Sequence, residues 1–365
     1  MNFSTIKEKL LSAVMIAERL VGKKETLPVL SCVLLEAGDT LSVRATNLEA
    51  GVEAVVPGEA KEAGIVAVPA TILSQTLRAI AGDKTSLRLE GDNLLVESKG
   101  TRTIIKAVPH EEFPVITAPS IKKGVDVARE RLLAALQSTT YAASSSMIRP
   151  ELGSIFLSVE NGKVTCVATD SFRLAEKVVA DASGGGESDV LIPLKHALEL
   201  SHILERLPDE RVTLFVEDSQ VNMRAEGLSY VSRVIDGTFP NYKEIVPKNH
   251  TTEATLLKGD FAEVLRKARI FAGAEQRIGF HVYPKKKVFD ITAQSPAVGE
   301  MSDSLEAALS GEDLDIYFHI GYVADCLPAI QSDSVTLSFS GPGKPLVVRG
   351  VSDTSFMYLA MPLNR

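Results

Sequence analysis

Versions of the stretch at residues 164–179, VTCVATDSFRLAEKVV, occur twice more, as LSVRATNLEAGVEAVV at 41–56 and FDITAQSPAVGEMSDSL at 289–305. Thr46, Thr169 and Thr292 stand 123 residues apart each time. A long fixed period constrains a fold more than any local motif, because each copy must form the same supersecondary unit. The flanking sequence repeats in the same order. Pro69 in IVAVPATILSQTLRAI is answered by Pro193 in DVLIPLKHALELSHIL and by the related IYFHIGYVADCLPAI, and Phe113-Pro114 recurs as Phe239-Pro240. The third copy ends in FMYLAMPL, so a unit of roughly 120 residues is present three times.

At 365 residues the chain exceeds what one core usually organises, and the repeat favours three domains over two. The expected boundaries are 1–122, 123–249 and 250–365. Apolar residues make up 45%, enough for a core in each unit, and no apolar run approaches the roughly 18 residues of a membrane span. The N-terminus mixes charge into apolar positions at helical spacing, unlike a signal peptide, so a cytoplasmic protein is expected. Cys32, Cys166 and Cys326 are far apart and set among apolar neighbours, which favours reduced, buried thiols. The net charge of -8 argues against tight grip on nucleic acid through many phosphates, yet leaves room for one basic surface on an acidic protein.

Each unit opens with an amphipathic helix: Leu10, Leu11, Val14, Ala17 and Leu20 in the first, Leu132, Leu133 and Leu136 in the second, Phe261, Val264, Leu265 and Ala268 in the third. Ser4 or Thr5, and Asp260, are the candidate caps. The outward faces carry Lys7, Arg19, Arg129, Arg131, Arg266, Lys267 and Arg269, which by periodicity alone suit a solvated face equally well. Hairpins follow, with turns at 37–40, at 160–162 and in a lysine-rich stretch before Val288. A second helix follows each repeat proline or its counterpart, and strands close the unit. Linkers are expected at 118–124 and 247–252, and ASGGGESD at 182–189 reads as a flexible loop.

Catalytic signatures are absent. The six histidines form no ligand pattern, and His196 and His202 are spaced so that one helix face cannot hold both. The glycine clusters lack a phosphate-loop ending. Asp170 beside Arg173 reads as a pair that holds local backbone. No catalytic residue, metal or cofactor is expected, and a binding or scaffolding role is favoured.

The threefold repeat, TLPVL at 26–30, ATDSFRLA at 168–175, DGTFPNYKEIVP at 236–247 and the terminal MPLNR together resemble the bacterial β sliding clamp family of replicative DNA polymerase, from end to end. The resemblance implies an α+β chain of three two-helix, two-sheet domains, with two chains closing head to tail into a ring whose helices line a hole for duplex DNA. It implies a non-catalytic processivity factor, held at the nucleoid by sequence-independent DNA contact, that tethers the polymerase, clamp loader and repair proteins by short peptide motifs.

By motif match, Lys24, Arg78, Arg149 and Lys195 are carried over as DNA-proximal. The peptide cleft would comprise Leu152, Thr169, Ser171, Phe172, Arg173 and Leu174, with Pro240, Ile245, Tyr322, Leu346, Met361, Pro362 and Leu363. The family commonly has Gly-His where this chain has Ser171-Phe172. Ile270 and Phe271 match the apolar interface pair, and Glu300, Asp303 and Glu306 are expected to face Arg102 and Lys106 of the other chain. Two rival readings are a β-rich enzyme with an unrecognised site and a monomeric peptide-binding adaptor.

Overall fold

In a computed structural model of the chain, residues 1–22, 27–116, 119–121, 123–146 and 148–363 are described. Lys24, a predicted DNA residue, and the terminal Asn364 and Arg365 lie outside them. Six helices appear among the described residues: α1 (Lys7–Glu18), α2 (Ala70–Ala79), α3 (Arg129–Thr139), α4 (Leu194–Arg206), α5 (Lys258–Phe271) and α6 (Ile320–Ala324). None is long and apolar enough to cross a membrane.

The packing divides into two compact units, 1–133 with 181–234 and 134–180 with 235–365. They do not follow the three repeats, because the sheets are shared between neighbouring repeats. In the first unit, Gly64–Pro69, Cys32–Ala37, Leu41–Thr46 and Ala50–Val56 of the first repeat continue into Leu228–Arg233, Gln220–Ala225 and Arg211–Glu217 of the second. The seam pairs Ala50–Val56 with Leu228–Arg233, Val52 opposite Tyr230. In the second unit the same seam joins Arg173–Val179 to Phe356–Ala360, Ala175 opposite Tyr358.

Two strands equivalent to the seam strands have no partner on their outer side among the described residues. Thr101–Ile105 edges a five-stranded sheet in the first unit, and Gly299–Ser304 edges a four-stranded sheet in the second. Each such edge presents a row of unpaired N–H and C=O groups.

The hairpins form where expected. Asn161 and Gly162 both have positive φ, 51° and 71°, the twist that a two-residue hairpin turn needs. Leu41, Val43 and Ala45 alternate inward against half-buried Ser42 and Arg44. The third repeat's core centres on Phe280, whose ring lies 5.4 to 6.3 Å from those of Phe261, Phe289, Phe318 and Phe339. Such geometry adds about 0.5–1.5 kcal/mol per pair beyond burial. All three cysteines are free and buried.

Several expectations are corrected. Ser4 and Thr5 cap nothing: both lie in the strand Asn2–Ile6, which runs directly into α1. Asp260 sits inside the first turn of α5. The 182–189 loop is partly strand, Ser183–Gly184 pairing with Val125 and Asp126. The second helix of the third repeat is only α6 and a separate 3₁₀ turn at Leu327–Ala329, where Pro328 lacks the N–H that a continued helix needs.

Thr292 is not the counterpart of Thr46 and Thr169. Those two end their strands, whereas Val288–Ser295 runs three residues further and Thr292 lies inside it, opposite Gly279.

The first helix of each repeat starts with a cation that donates to a carbonyl at or near the end of the second helix. Lys7 Nζ reaches Ile80 O at 3.3 Å, Arg129 Nη1 reaches Leu204 O at 2.9 Å, and Lys258 Nζ reaches Ile330 O at 2.7 Å. The same residues' amides bond Asp83, Glu210 and Asp333 carbonyls. These cations satisfy carbonyls that a helix end or the turn after it leaves open. Arg129, predicted on a solvated face, is thus a structural clamp.

Candidate functional site

The turn after Lys163–Thr169 is built by side chains bonding backbone. Thr169 Oγ1 donates to Arg173 O at 2.6 Å and accepts from Ser171 N at 3.2 Å. Asp170 Oδ1 accepts from the amides of Phe172 and Arg173, and its Oδ2 from Arg173 Nε at 2.9 Å. Ser171 is held at φ 80°, and Phe172 projects outward, 59% exposed. The first repeat builds the same turn with Thr46, Asn47 and Leu48 at φ 73°.

Phe172 stacks on Tyr322 with ring centres 6.4 Å apart. The terminal segment docks beside it: Met361 N donates to Phe172 O and Leu363 N to Tyr317 O, both at 2.8 Å. Arg173 is fixed from three sides, by Asp170, by Asp325 at 2.6 Å and by the Tyr322 ring at 4.9 Å. Burial opposes its charge, but Tyr358, Asp170 and Asp325 outweigh burial and raise its pKa. Burial and the nearby Asp170 carboxylate likewise raise the Tyr322 phenol.

Strand alternation sorts the remaining predicted cleft residues. Thr169, Leu174 and Leu359 stand side by side on one face. On that face Tyr242 bonds Glu176 and Phe239 stacks on Phe156 at 5.1 Å, which brings the segment carrying Pro240 and Ile245 across it. Leu152, Thr169 and Leu174 are buried, while Phe172, Ile245 and Met361 are exposed and Pro240, Pro362 and Leu363 half-buried. Leu346, fully buried, pairs with Ala360, which pairs with Arg173, so it shares Arg173's side of the sheet rather than Leu174's. Asp325 and Tyr141, which touch Arg173, were missed, because no sequence spacing connects them to it.

The described DNA candidates each have a carboxylate nearby. Arg78 lies 3.6 Å from Glu18, Arg149 2.9 Å from Glu151, and Lys195 4.0 Å from Glu199. Glu199 is 8% exposed, and burial pushes its carboxyl up to about 7. Burial lowers its neighbour His196, whose Nδ1 contacts Ser232 at 2.9 Å.

Of the interface candidates, Arg102 lies in the edge strand Thr101–Ile105 and pairs with Glu90, and Lys106 follows exposed. Ile270 is 65% exposed at the end of α5, beside half-buried Phe271. Glu300 and Asp303 belong to the other edge strand, where Asp303 bonds Lys267 at 3.0 Å, and Glu306 lies exposed after it.

A hydroxyl–imidazole–carboxylate chain links Thr292, His281 and Asp315, with contacts of 2.9 and 2.6 Å. It lies flat on a sheet whose strands pair on both sides of His281, so the adjoining amides serve the ladder rather than a developing oxyanion. Among the described residues no group of three or more His, Cys, Asp or Glu is placed to hold a metal.

Three family models match the chain in order: the DNA polymerase III beta subunit N-terminal domain at residues 1–117, its central domain at 126–241 and its C-terminal domain at 243–364. The chain is 26% identical to the beta sliding clamps of Vibrio cholerae and Escherichia coli, over the whole of each protein. Its fold matches that of the Thermotoga maritima DNA polymerase III beta subunit with a TM-score of 0.93 at 25% identity, covering 100% of this chain and 99% of that one. A Pseudomonas aeruginosa sliding clamp bound to griselimycin matches with a TM-score of 0.94 at 25% identity over all of both chains.

Proposed function

A chain matched by all three domain models belongs to the DNA polymerase III beta subunit family, and from that premise we propose that it acts as a processivity clamp on duplex DNA. The observation that carries this reading is the pair of open sheet edges. Within the chain, the strand type of Ala50–Val56 joins the strand type of Leu228–Arg233, and Arg173–Val179 joins Phe356–Ala360 in the same way. Gly299–Ser304 is the third strand of the first type and Thr101–Ile105 the third of the second, each open on its outer side. A second copy offering the complementary edge makes the same seam head to tail, and two such contacts close a ring. Ile270, Phe271, Glu300, Asp303 and Glu306 sit at or beside one edge, Arg102 and Lys106 at the other.

The three repeats act as domains 1–122, 123–249 and 250–365, with helices toward the hole. The first two model matches fall inside the first two of these spans, and the third begins somewhat before its own. DNA is held by enclosure, while Lys24, Arg78, Arg149 and Lys195 make weak, sequence-blind contacts; carboxylates beside the three described cations keep phosphate affinity low. Phe172, Ile245, Met361 and the buried floor of Leu152, Thr169 and Leu174 receive short peptide tails of the polymerase, the clamp loader and repair proteins. The protein is a non-catalytic homodimer working on nucleoid DNA in the cytoplasm.

The test is retention on DNA after loading. Protein that stays on a closed circle and is lost when the circle is cut encloses its DNA. Equal loss from both forms supports the monomeric adaptor instead, and turnover abolished by one substitution outside the cleft supports an enzyme.

A further inference from the structure

The second unit contains a cavity of about 850 Å³ between the C-terminal half of α3, the face of α5 and the 3₁₀ turn after α6. This is within the range of sites that hold small ligands. Its wall is largely apolar, with Ala134, Ala262, Leu265, Ala324, Leu327 and Pro328 among the lining residues.

Three features give the cavity a positive character. Arg266 and Arg269 line it one helical turn apart on α5, exposed, and neither makes an ion pair or hydrogen bond among the described residues. Lys267 between them, by contrast, is paired with Glu263 and Asp303. The N-terminus of α5 opens into the same space without a side-chain cap, and a Cβ added at Gly259 would meet nothing within 4 Å. The Lys258 amide is bonded to Asp333 O, so it is the N–H groups from Gly259 onward, with the helix dipole, that favour an anion there. The acid among the lining residues, Asp325, is already neutralised by Arg173 at 2.6 Å. Asp260, in the first turn, is exposed and outside the lining.

We propose that this cavity is a binding site for a small amphipathic anion, an apolar or aromatic body carrying one carboxylate, sulfonate or phosphate group. The body fills the alanine- and leucine-lined wall, and the anionic group meets Arg266 and Arg269. Unpaired guanidinium groups at the rim of an apolar wall lose little on binding such a ligand, since no internal partner has to be displaced.

The experiment uses two fluorescent probes on the full-length protein: 1-anilinonaphthalene-8-sulfonate and its neutral analogue N-phenyl-1-naphthylamine. The sulfonate is expected to bind the natural protein more tightly, and the double variant Arg266→Gln/Arg269→Gln to weaken it at least about tenfold while leaving the neutral probe unchanged. Ala262→Trp fills the wall and is expected to weaken both probes. Thermal melts matching the natural protein's show that each variant is folded. Equal affinity for the two probes, or sulfonate binding unchanged in the arginine variant, overturns the proposal. So does sulfonate binding lost on Phe172→Ala, which would place the probe in the cleft.

Discussion

Lys177 Nζ stands 3.0 Å from Asp353 Oδ2, and both residues are more than nine-tenths buried. The pair ties a strand of the second repeat to the loop before the terminal strand. Asp353 also accepts from the amides of Gln331 and Ser355. Burial opposes its charge, but the bonds from Ser355 and Lys177 outweigh it and hold the carboxyl below its usual range. Lys177→Met, which leaves that carboxylate unpaired, is expected to cost about 3–5 kcal/mol. Urea unfolding at neutral pH measures this. The depressed folded pKa means that the pair's contribution is present above the unfolded carboxyl value and is lost as pH falls through the folded one, so the variant's deficit shrinks in acid.

Glu199 responds to pH in the opposite sense. Its folded pKa is raised to about 7 by burial, so between the unfolded value and 7 the folded state binds the extra proton. Stability is then greatest in acid and falls as pH rises through that window, by up to about 3 kcal/mol. Urea unfolding at pH 5 and pH 8 is expected to show this loss in the natural protein and not in Glu199→Gln. Parallel curves for the two proteins would remove Glu199 as the cause.

Ser171 holds a left-handed conformation, φ 80°, that a side chain resists. Ser171→Gly relieves it and is expected to stabilise the second unit by about 1 kcal/mol, read as a rise in urea midpoint. Leu48→Gly tests the same strain in the first repeat, at φ 73°.

Ile270 is the most exposed of the apolar interface candidates. Sedimentation equilibrium is expected to give twice the 39.2 kDa chain mass for the natural protein and once that mass for Ile270→Arg. A natural protein that stays at one chain mass across concentrations, with and without DNA, would contradict the head-to-tail dimer.

Leu174 lies on the sheet face crossed by the segment carrying Pro240 and Ile245. Leu174→Ala, or removal of residues 361–365, is expected to weaken binding of an acceptor peptide at least about tenfold, through loss of a buried wall or of the chain end bonded to Phe172 O. Fluorescence anisotropy of a labelled polymerase tail peptide reads the effect.

The repeats and hairpins were legible because they depend on local pattern: alternation at Leu41, Val43 and Ala45, or the Asn161-Gly162 turn. The Thr169 to Arg173 turn was legible as a motif, and Asp170 does hold its backbone. What sequence did not disclose depends on partners distant in the chain. Arg129 resembles any solvated arginine until Leu204 O and Asp209 O are found beside it. Leu346 reads as a cleft residue beside Leu174, and only the register through Ala360 shows that it shares Arg173's side of the sheet instead. Thr292 keeps the numerical period because a longer strand in the third repeat displaces its true counterpart, Ser295.

The seams between repeats are made by strand backbones, and this has consequences for how such a chain diverges after duplication. A joint of amides and carbonyls is indifferent to most side chains, so each copy inherits working adhesion to its neighbour however far its surface drifts. Leu48 and Ser171 occupy the same bend in two copies; one copy follows it with Glu49 and the other with Phe172. Three copies of one ancestral unit can thus acquire separate trades while the ladder between them stays the same.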